Sequence, residues 1–199
     1  MTNEGKLFEI YLKELLLWNT RFNLTAITDP EEIRIKHFED SLSLLQTIQL
    51  TNQSLIDIGA GAGFPGIPLK IVCPDIKLTL VEATRKKVEF LQHIVSLLGL
   101  KDVDVIWGRA EDIAKEKKGS FDIAVARAVA KLNILSGWCL PFVKAGGLFI
   151  AYKGDKVEAE VKQAEKAIKY LRGTVKEIKK VLLPDSEIVH SLVLIKKTS

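Results

Sequence analysis

Apolar and polar positions change rhythm twice along this chain. Over the first 50 residues the apolar ones recur at spacings of three and four. Leu7, Ile10, Tyr11, Leu15 and Leu16 mark one face of a helix. Asn19, Asn23, Thr25 and Thr28 break that rhythm between Trp18 and Thr28. Asp29-Pro30-Glu31-Glu32 then predicts a helix start: Asp29 can cap, Pro30 suits the first turn, and Glu32 can reach back to close a capping box. This second helix is predicted to run to about Gln46, with Ile33, His37, Leu44 and Leu45 on its buried side.

From Ser54 onward short apolar runs alternate with helical stretches. Strands are predicted near 54–58, 77–82, 103–107, 121–126 and 147–152, and helices over 65–73, 85–98, 110–116, 131–143 and 156–171. Such alternation implies a parallel sheet covered on both faces. The ending differs. Val175 to Leu183 and Ile188 to Ile195 are apolar runs joined by Pro184-Asp185-Ser186-Glu187, which predicts an antiparallel hairpin. No repeat and no linker interrupts the pattern, so residues 1–199 are expected to form one domain: a helical extension over 1–50 and a Rossmann-like core over 54–199.

Residues 55–66 carry the first chemistry. Leu55-Ile56-Asp57-Ile58 leads into glycines at 59, 61 and 63, and Glu82 closes the next apolar run. Glycines at a strand end let the backbone turn sharply and approach a ligand closely. An acid about 20 residues further on, at the tip of the second strand, can accept bonds from ribose hydroxyls. The unit therefore reads as a nucleoside-binding βαβ element, with Asp57, Gly59, Gly61, Gly63 and Glu82 as its candidate cofactor residues. The closing hairpin separates two uses of this element. A nicotinamide enzyme continues with parallel units and a substrate domain, for which 199 residues leave no room. Five parallel strands plus one hairpin suit a class I S-adenosylmethionine-dependent methyltransferase sheet instead.

Further candidates fall at the ends of later strands. Gly108-Arg109-Ala110-Glu111-Asp112 can pass a backbone amide and an acidic side chain to an adenine edge, or Glu111 or Asp112 can cap the next helix. Arg127 emerges from Ala-Val-Ala into the ligand-binding rim, where its planar fork can hold an anion. Lys153 on the same rim can bind a phosphate or stand in solvent. His37, Asp40 and Ser41 share a helix face and suit a polar cluster tying that helix to the sheet.

Composition narrows the classes. The chain is 47% hydrophobic, enough for a core, and no apolar run approaches a membrane span. The start of the sequence does not read as a signal peptide, and a cytoplasmic setting is expected. Cys73 and Cys139 read as buried core thiols, and the three histidines are too scattered for a metal site. Residues 1–50 carry a net charge of −3 and the remainder +7, which is compatible with an RNA partner. Lys86, Lys87, Arg109, Lys153 and Lys156, at or just past strand ends, are the candidate phosphate contacts. The lysines between 162 and 180 read as solvated faces. After the fourth strand there is neither an Asn-Pro-Pro-Tyr or Asp-Pro-Pro-Tyr motif nor a Pro-Cys pair. A methyl acceptor that needs no base, thiol or metal is therefore favoured, and guanine N7 is one.

Several of these segments together resemble one family. Trp18-Asn19, Phe22-Asn23-Leu24-Thr25-Ala26-Ile27, His37-Phe38-Glu39-Asp40-Ser41-Leu42, Gly63-Phe64-Pro65-Gly66-Ile67-Pro68-Leu69, Lys86-Lys87 with Phe90-Leu91, Gly108-Arg109-Ala110-Glu111, Arg127-Ala128-Val129-Ala130 and Lys153-Gly154 follow in order. Through nearly its whole length the chain is similar to the bacterial 16S rRNA guanine-N7 methyltransferase family, the glucose-inhibited division protein B family. The resemblance implies S-adenosylmethionine contacts at Gly59, Phe64, Ala110, Glu111 and Arg127; leaving a strand end on the cofactor rim, Arg127 is also expected to act at the reacting centre, on an anionic group or the guanine O6. It implies a guanine of the 530 loop of 16S rRNA as target and favours a ribosomal particle as substrate; a monomer is expected. It places the His37 segment over the cofactor pocket, with His37 on the substrate side and not an obligatory base. A methyltransferase for another rRNA or tRNA site, or a non-catalytic ribosome-assembly factor of the same fold, are the alternatives.

Overall fold

The computed structural model describes residues 2–127 and 130–199. Ala128 and Val129, part of the motif after the fourth strand, lie outside the described residues. One seven-stranded sheet organises the chain, in the order β3-β2-β1-β4-β5-β7-β6. Its strands are β1 (Ser54–Ile58), β2 (Lys77–Glu82), β3 (Val103–Trp107), β4 (Phe121–Arg127), β5 (Val143–Gly154), β6 (Gly173–Leu182) and β7 (Val189–Lys197). The first five run parallel, and β7 pairs antiparallel with both β5 and β6. The strand order reverses between β1 and β4, and in open α/β sheets that switch point opens a crevice at the strands' carboxyl ends.

Strand alternation divides the core in two. Leu55, Leu78, Leu80, Ile123, Val125 and Ile150 face one side with α1 (Asn3–Phe22), α4 (Gly66–Val72) and α5 (Arg85–Leu97). Ile56, Ile58, Val81, Ala124, Ala126 and Phe149 face the other, with α6 (Ala110–Glu116), α7 (Leu132–Cys139) and α8 (Glu158–Tyr170). A period of two thus fixes where each strand-end side chain points. Asp57 follows Leu55, and Arg127 follows Ile123 and Val125, onto the α1 side.

The expected elements are present, with local differences. Helix α1 runs to Phe22 and ends on Asn23 in the left-handed conformation, four residues past the expected break at Trp18. Its buried face is Tyr11, Leu12 and Leu15; Ile10 is 38% exposed. Tyr11 makes the correction intelligible, because its ring packs between Phe38 and Phe64 and sets the facing side of the helix. The segment after Asp29 reaches Gln46 as expected, but as a composite: α2 (Pro30–Ile33), a π-helical turn (Arg34–Glu39), α3 (Asp40–Leu42) and a 3-10 turn (Ser43–Gln46). Asp29 caps it by accepting from the Glu32 amide at 2.9 Å. Glu32 does not close the box; its carboxylate pairs with Lys36 at 2.6 Å. Strand β5 begins at Val143 rather than 147, since the helix before it ends in the 3-10 turn Leu140–Phe142. Cys139 is buried, whereas Cys73, at the end of α4, is half-buried.

Candidate functional site

The glycine turn leaves β1 and is fastened at once to the end of β2. The Gly59 and Ala60 amides both donate to the Val81 carbonyl, at 2.9 and 3.0 Å. The Gly61 amide donates to Glu82 Oε2 at 2.9 Å, and the Thr84 amide to Glu82 Oε1 at 2.8 Å. Glu82 is thus nearly buried, each carboxylate oxygen engaged once by backbone and able to accept again. Gly59, Gly61 and Gly63 all have positive φ, of 73°, 60° and 98°. At Gly63 the need for glycine is also steric: a Cβ would lie 2.6 Å from the Tyr11 hydroxyl and 2.5 Å from Ile67 Cδ1. Tyr11 reaches across from α1 to donate to the Ala62 carbonyl, so the extension pins the loop from above.

These elements enclose a cavity of about 480 Å³ at the switch point. Gly59 to Ala62 and Phe64 form one wall, Ile58, Val81 and Glu82 the floor, and Gly108 to Glu111 the far side. Leu24, Thr25 and His37 close it from the N-terminal extension, with Lys87, Arg127 and Trp138 at the margins. The volume lies in the range of small-molecule sites. A wall of close-approach backbone, a carboxylate with free lone pairs and apolar patches fit the ribose, methionine and adenine parts of S-adenosylmethionine.

Of the expected cofactor residues, Gly59, Gly61, Phe64, Glu82, Ala110, Glu111 and Arg127 line this cavity. Asp57 and Gly63 do not line it. Asp57 is fully buried, and its Oδ2 accepts from the Gly66 amide at 2.8 Å while Oδ1 has no partner among the described residues. Burial pushes its carboxyl up to about 7. Among the expected phosphate contacts, Lys87 and Arg109 line the cavity and Lys86 and Lys156 stand exposed. Lys153 corrects the expectation of a free rim cation. Its ammonium donates to Glu160 and to the Ala130 carbonyl, both at 2.7 Å, and it is largely buried. Helix α8 brings Glu160 to it, a contact that spacing in the sequence does not display.

Arg127 also differs from the expectation of a fork open to a ligand. Its Nη1 donates to Asp40 Oδ2 at 2.6 Å and to the Lys36 carbonyl at 3.1 Å, and its Nη2 to His37 Nδ1 at 3.1 Å. The guanidinium also lies 5.1 Å from the Phe64 ring centroid. The anion it holds is the chain's own. Asp40 is buried, and its second oxygen pairs with His190 Nδ1. The π-helical turn makes this possible by widening the helix where His37 and Asp40 face the sheet. The Tyr152 hydroxyl adds a bond to the Ser41 carbonyl at 2.8 Å. The polar cluster expected from the His37, Asp40 and Ser41 spacing therefore exists, and it joins the extension to β4, β5 and β7.

His37 has neither ring nitrogen idle. Nδ1 lies 3.1 Å from both the Arg127 guanidinium and the Lys36 carbonyl, and Nε2 shares a hydrogen bond with Thr25 Oγ1 at 2.8 Å. Its ring stacks on Phe64 at 4.5 Å. Burial, then the Arg127 charge, lowers its pKa to about 4. Thr25 is held in turn by Asn19, whose side chain donates to its carbonyl at 2.9 Å and accepts from its amide at 3.0 Å. Tyr11, Leu24, Thr25 and Trp138 are at the site although no residue-level feature of the sequence assigns them there. Tyr11 lay within a helical apolar stripe, where only its hydroxyl was a signal. Leu24 and Thr25 lay within the resembling segment, and Trp138 lay in an apolar helical stretch without one.

Fold and cavity together define a class I S-adenosylmethionine-dependent methyltransferase. Comparison with known proteins narrows this. Residues 4–189 match the family model GidB, rRNA small subunit methyltransferase G. Ribosomal RNA small subunit methyltransferase G of Thermoanaerobacter sp. (strain X514) is 49% identical over 96% of this chain and 80% of its own length. Its namesake in Alkaliphilus metalliredigens (strain QYMF) is 50% identical over 94% and 80%. Among solved structures, M. jannaschii TYW2 in complex with AdoMet superposes with a TM-score of 0.64 at 16% identity, covering 80% of this chain and 76% of that one. The [4+2]-cyclase SpnF superposes with a TM-score of 0.63 at 13% identity, covering 80% and 79%, so the fold alone does not dictate the reaction. The chain belongs to the rRNA small subunit methyltransferase G family, and its cofactor is S-adenosylmethionine.

Proposed function

We propose that this chain methylates N7 of a guanine in the 530 loop of 16S rRNA, acting on a ribosomal particle rather than on naked RNA. One observation supports the guanine N7 reading above others. The imidazole at the cavity is committed to Arg127 and Thr25, with its pKa lowered to about 4. The Cys139 thiol is buried, with its pKa raised by that burial. A nucleophile that must lose a proton, or be added to by a thiol, finds no ready partner in these groups. Guanine N7 has a free lone pair at neutral pH and asks only for position and dehydration. S-adenosylmethionine supplies the activated methyl group when bound. Glu82 accepts from the ribose hydroxyls, and the glycine wall admits the methionine part. The Asp40, Arg127 and His37 cluster fixes the lid segment that carries Leu24 and Thr25.

The test is single-turnover transfer of labelled methyl to small subunits that lack the modification, followed by borohydride and aniline scission, which cuts at 7-methylguanine. One labelled cut in the 530 loop is expected, with slower transfer to naked 16S rRNA. Label without a cut, or a cut elsewhere, refutes the assignment. Binding of subunits with no transfer would mark an assembly factor instead. Calorimetry with S-adenosylmethionine and NAD side by side checks the cofactor on its own.

A further inference from the structure

The carboxyl end of β3 carries an indole that the cofactor cavity does not use. Trp107 is 60% exposed. It is nevertheless fixed: Nε1 donates to the Ala83 carbonyl at 3.0 Å, and the Arg85 guanidinium lies 5.7 Å from the ring centroid. Trp107 pairs in register with Glu82 and directly precedes Gly108 and Arg109, so it stands at the cavity mouth. Among the described residues, the other exposed large apolar side chains are Ile10, Leu17, Leu97, Ile134, Tyr170 and Leu182, and none of these directly adjoins a lining residue in sequence.

The charge around the indole is mostly uncommitted. Arg85 pairs with Glu89 at 3.3 Å, and Lys115 pairs with Asp112 at 2.8 Å. Lys86, Lys87 and Arg109 form no ion pair among the described residues, and Lys86 Nζ lies 5.5 Å from the Phe22 ring centroid. The carboxylates nearby are Glu82, tied to two backbone amides, the exposed Glu111, and Glu89 and Asp112 in the two pairs just named, Asp112 also lying close enough to feel the Arg109 charge. A flat aromatic surface held in place under the Arg85 guanidinium, with Lys86 and Lys87 following Arg85 in the chain and Arg109 two residues past the indole, matches one chemistry: a base with phosphates on both sides. A duplex keeps its base faces stacked within itself and cannot use such a surface, whereas an unpaired nucleotide can. A protein partner would look for apolar neighbours around the indole, and here the side chain over the ring is the Arg85 guanidinium.

We propose that Trp107 is a stacking platform for an unpaired RNA base, with Lys86, Lys87 and Arg109 on the adjoining phosphates; this rests on the RNA-methylation reading above. It adds a second point of attachment beyond the cavity, so the strand is held on both sides of the reacting nucleotide. Arg85 keeps the ring in place and adds its charge to the platform.

The test measures binding of a mixed-sequence single-stranded RNA of about 12 nucleotides, its duplex, and small subunits, by the full chain and its Trp107→Ala and Trp107→Phe variants. Trp107→Ala should weaken single-strand and subunit binding about tenfold, within the range found for loss of one stacked base. Trp107→Phe should stay within about threefold, because a ring face remains. Affinity for S-adenosylmethionine should be unchanged in both. Unaltered RNA affinity in Trp107→Ala, or an equal loss of cofactor affinity, overturns the platform. If the alanine variant melts early, the phenylalanine variant decides. RNA-induced quenching of tryptophan fluorescence should fall in it although RNA still binds, and undiminished quenching overturns the proposal. Wild-type protein that binds subunits without methylating them refutes the methylation reading and leaves this comparison standing. Wild-type methylation with an unaffected alanine variant refutes the platform alone.

Discussion

Replacing Arg127 by alanine should unfold this protein as readily as it disables it. Arg127 and Asp40 side chains are 11% and 1% exposed and meet at 2.6 Å. Removing one member of a buried pair leaves the other charged without compensation, which costs about 3–5 kcal/mol. Asp40 keeps His190 when Arg127 is lost, and Arg127 keeps the Lys36 carbonyl when Asp40 is lost. Each single alanine variant should therefore sit near the lower end, at about 3 kcal/mol. The double variant removes both charges and should cost about 3–4 kcal/mol rather than the sum, a coupling of about 2 kcal/mol or more. In a chain of this size each kcal/mol lowers Tm by about 2–4 °C, so each single variant should melt about 6–12 °C early. Equilibrium urea unfolding of the four proteins at neutral pH measures this directly. Single costs below about 1 kcal/mol, or costs that simply add, would refute the picture of a buried, mutually dependent pair. Methyl transfer by Arg127→Ala must consequently be read well below its melting temperature.

Other expectations follow from the same geometry. Gly63→Ala puts a Cβ within 2.6 Å of the Tyr11 hydroxyl at a φ of 98°, and should cost about 2–4 kcal/mol in urea unfolding together with cofactor affinity. His37 has a folded pKa of about 4 against 6.5 unfolded, so the unfolded chain takes up the extra proton. Its contribution to stability is complete above pH 6.5 and is lost as pH falls towards 4, about 3 kcal/mol in all, and His37→Phe should flatten that limb of the stability–pH curve. The methylation rate should show no inflection near pH 6.5 that His37 substitution removes. Glu82→Ala frees the Gly61 and Thr84 amides and removes the proposed ribose acceptor, so calorimetry should show S-adenosylmethionine affinity falling at least about tenfold, about 1.4 kcal/mol. Neutralising Lys87 and Arg109 together should lower the log–log salt slope of subunit binding by about 1.4–1.8, whereas neutralising Lys153 should leave the slope unchanged, because Glu160 already neutralises it.

The order of elements was legible because each rests on local rules. Strands announce themselves by short apolar runs and helices by spacing, and the closing hairpin by two such runs around Pro184 and Asp185. The glycine turn and Glu82 were legible for the same reason: backbone freedom and an acid at a strand tip are properties of single positions. Where sequence pattern and structure differ, a distant partner decides. Ile10 and Leu12 stand equally well in a helical stripe, and only the packing of Tyr11 on Phe38 and Phe64 selects the face.

Charge partners divide along the same line. By itself the sequence determined that a cation stands at residue 127 and another at 153, and that both fall at the carboxyl ends of parallel strands. It did not determine what they touch. The partners of Arg127 in Asp40 and His37 lie 87 and 90 residues away, and Glu160 reaches Lys153 from a separate helix. Asp57 likewise reads as a ligand group at the turn, yet strand alternation directs it beneath the loop to the Gly66 amide. A residue's chemistry is carried in the chain, but a charge in a low-dielectric interior is governed by whatever the fold brings within a few ångströms of it, and only the tertiary structure sets that neighbourhood.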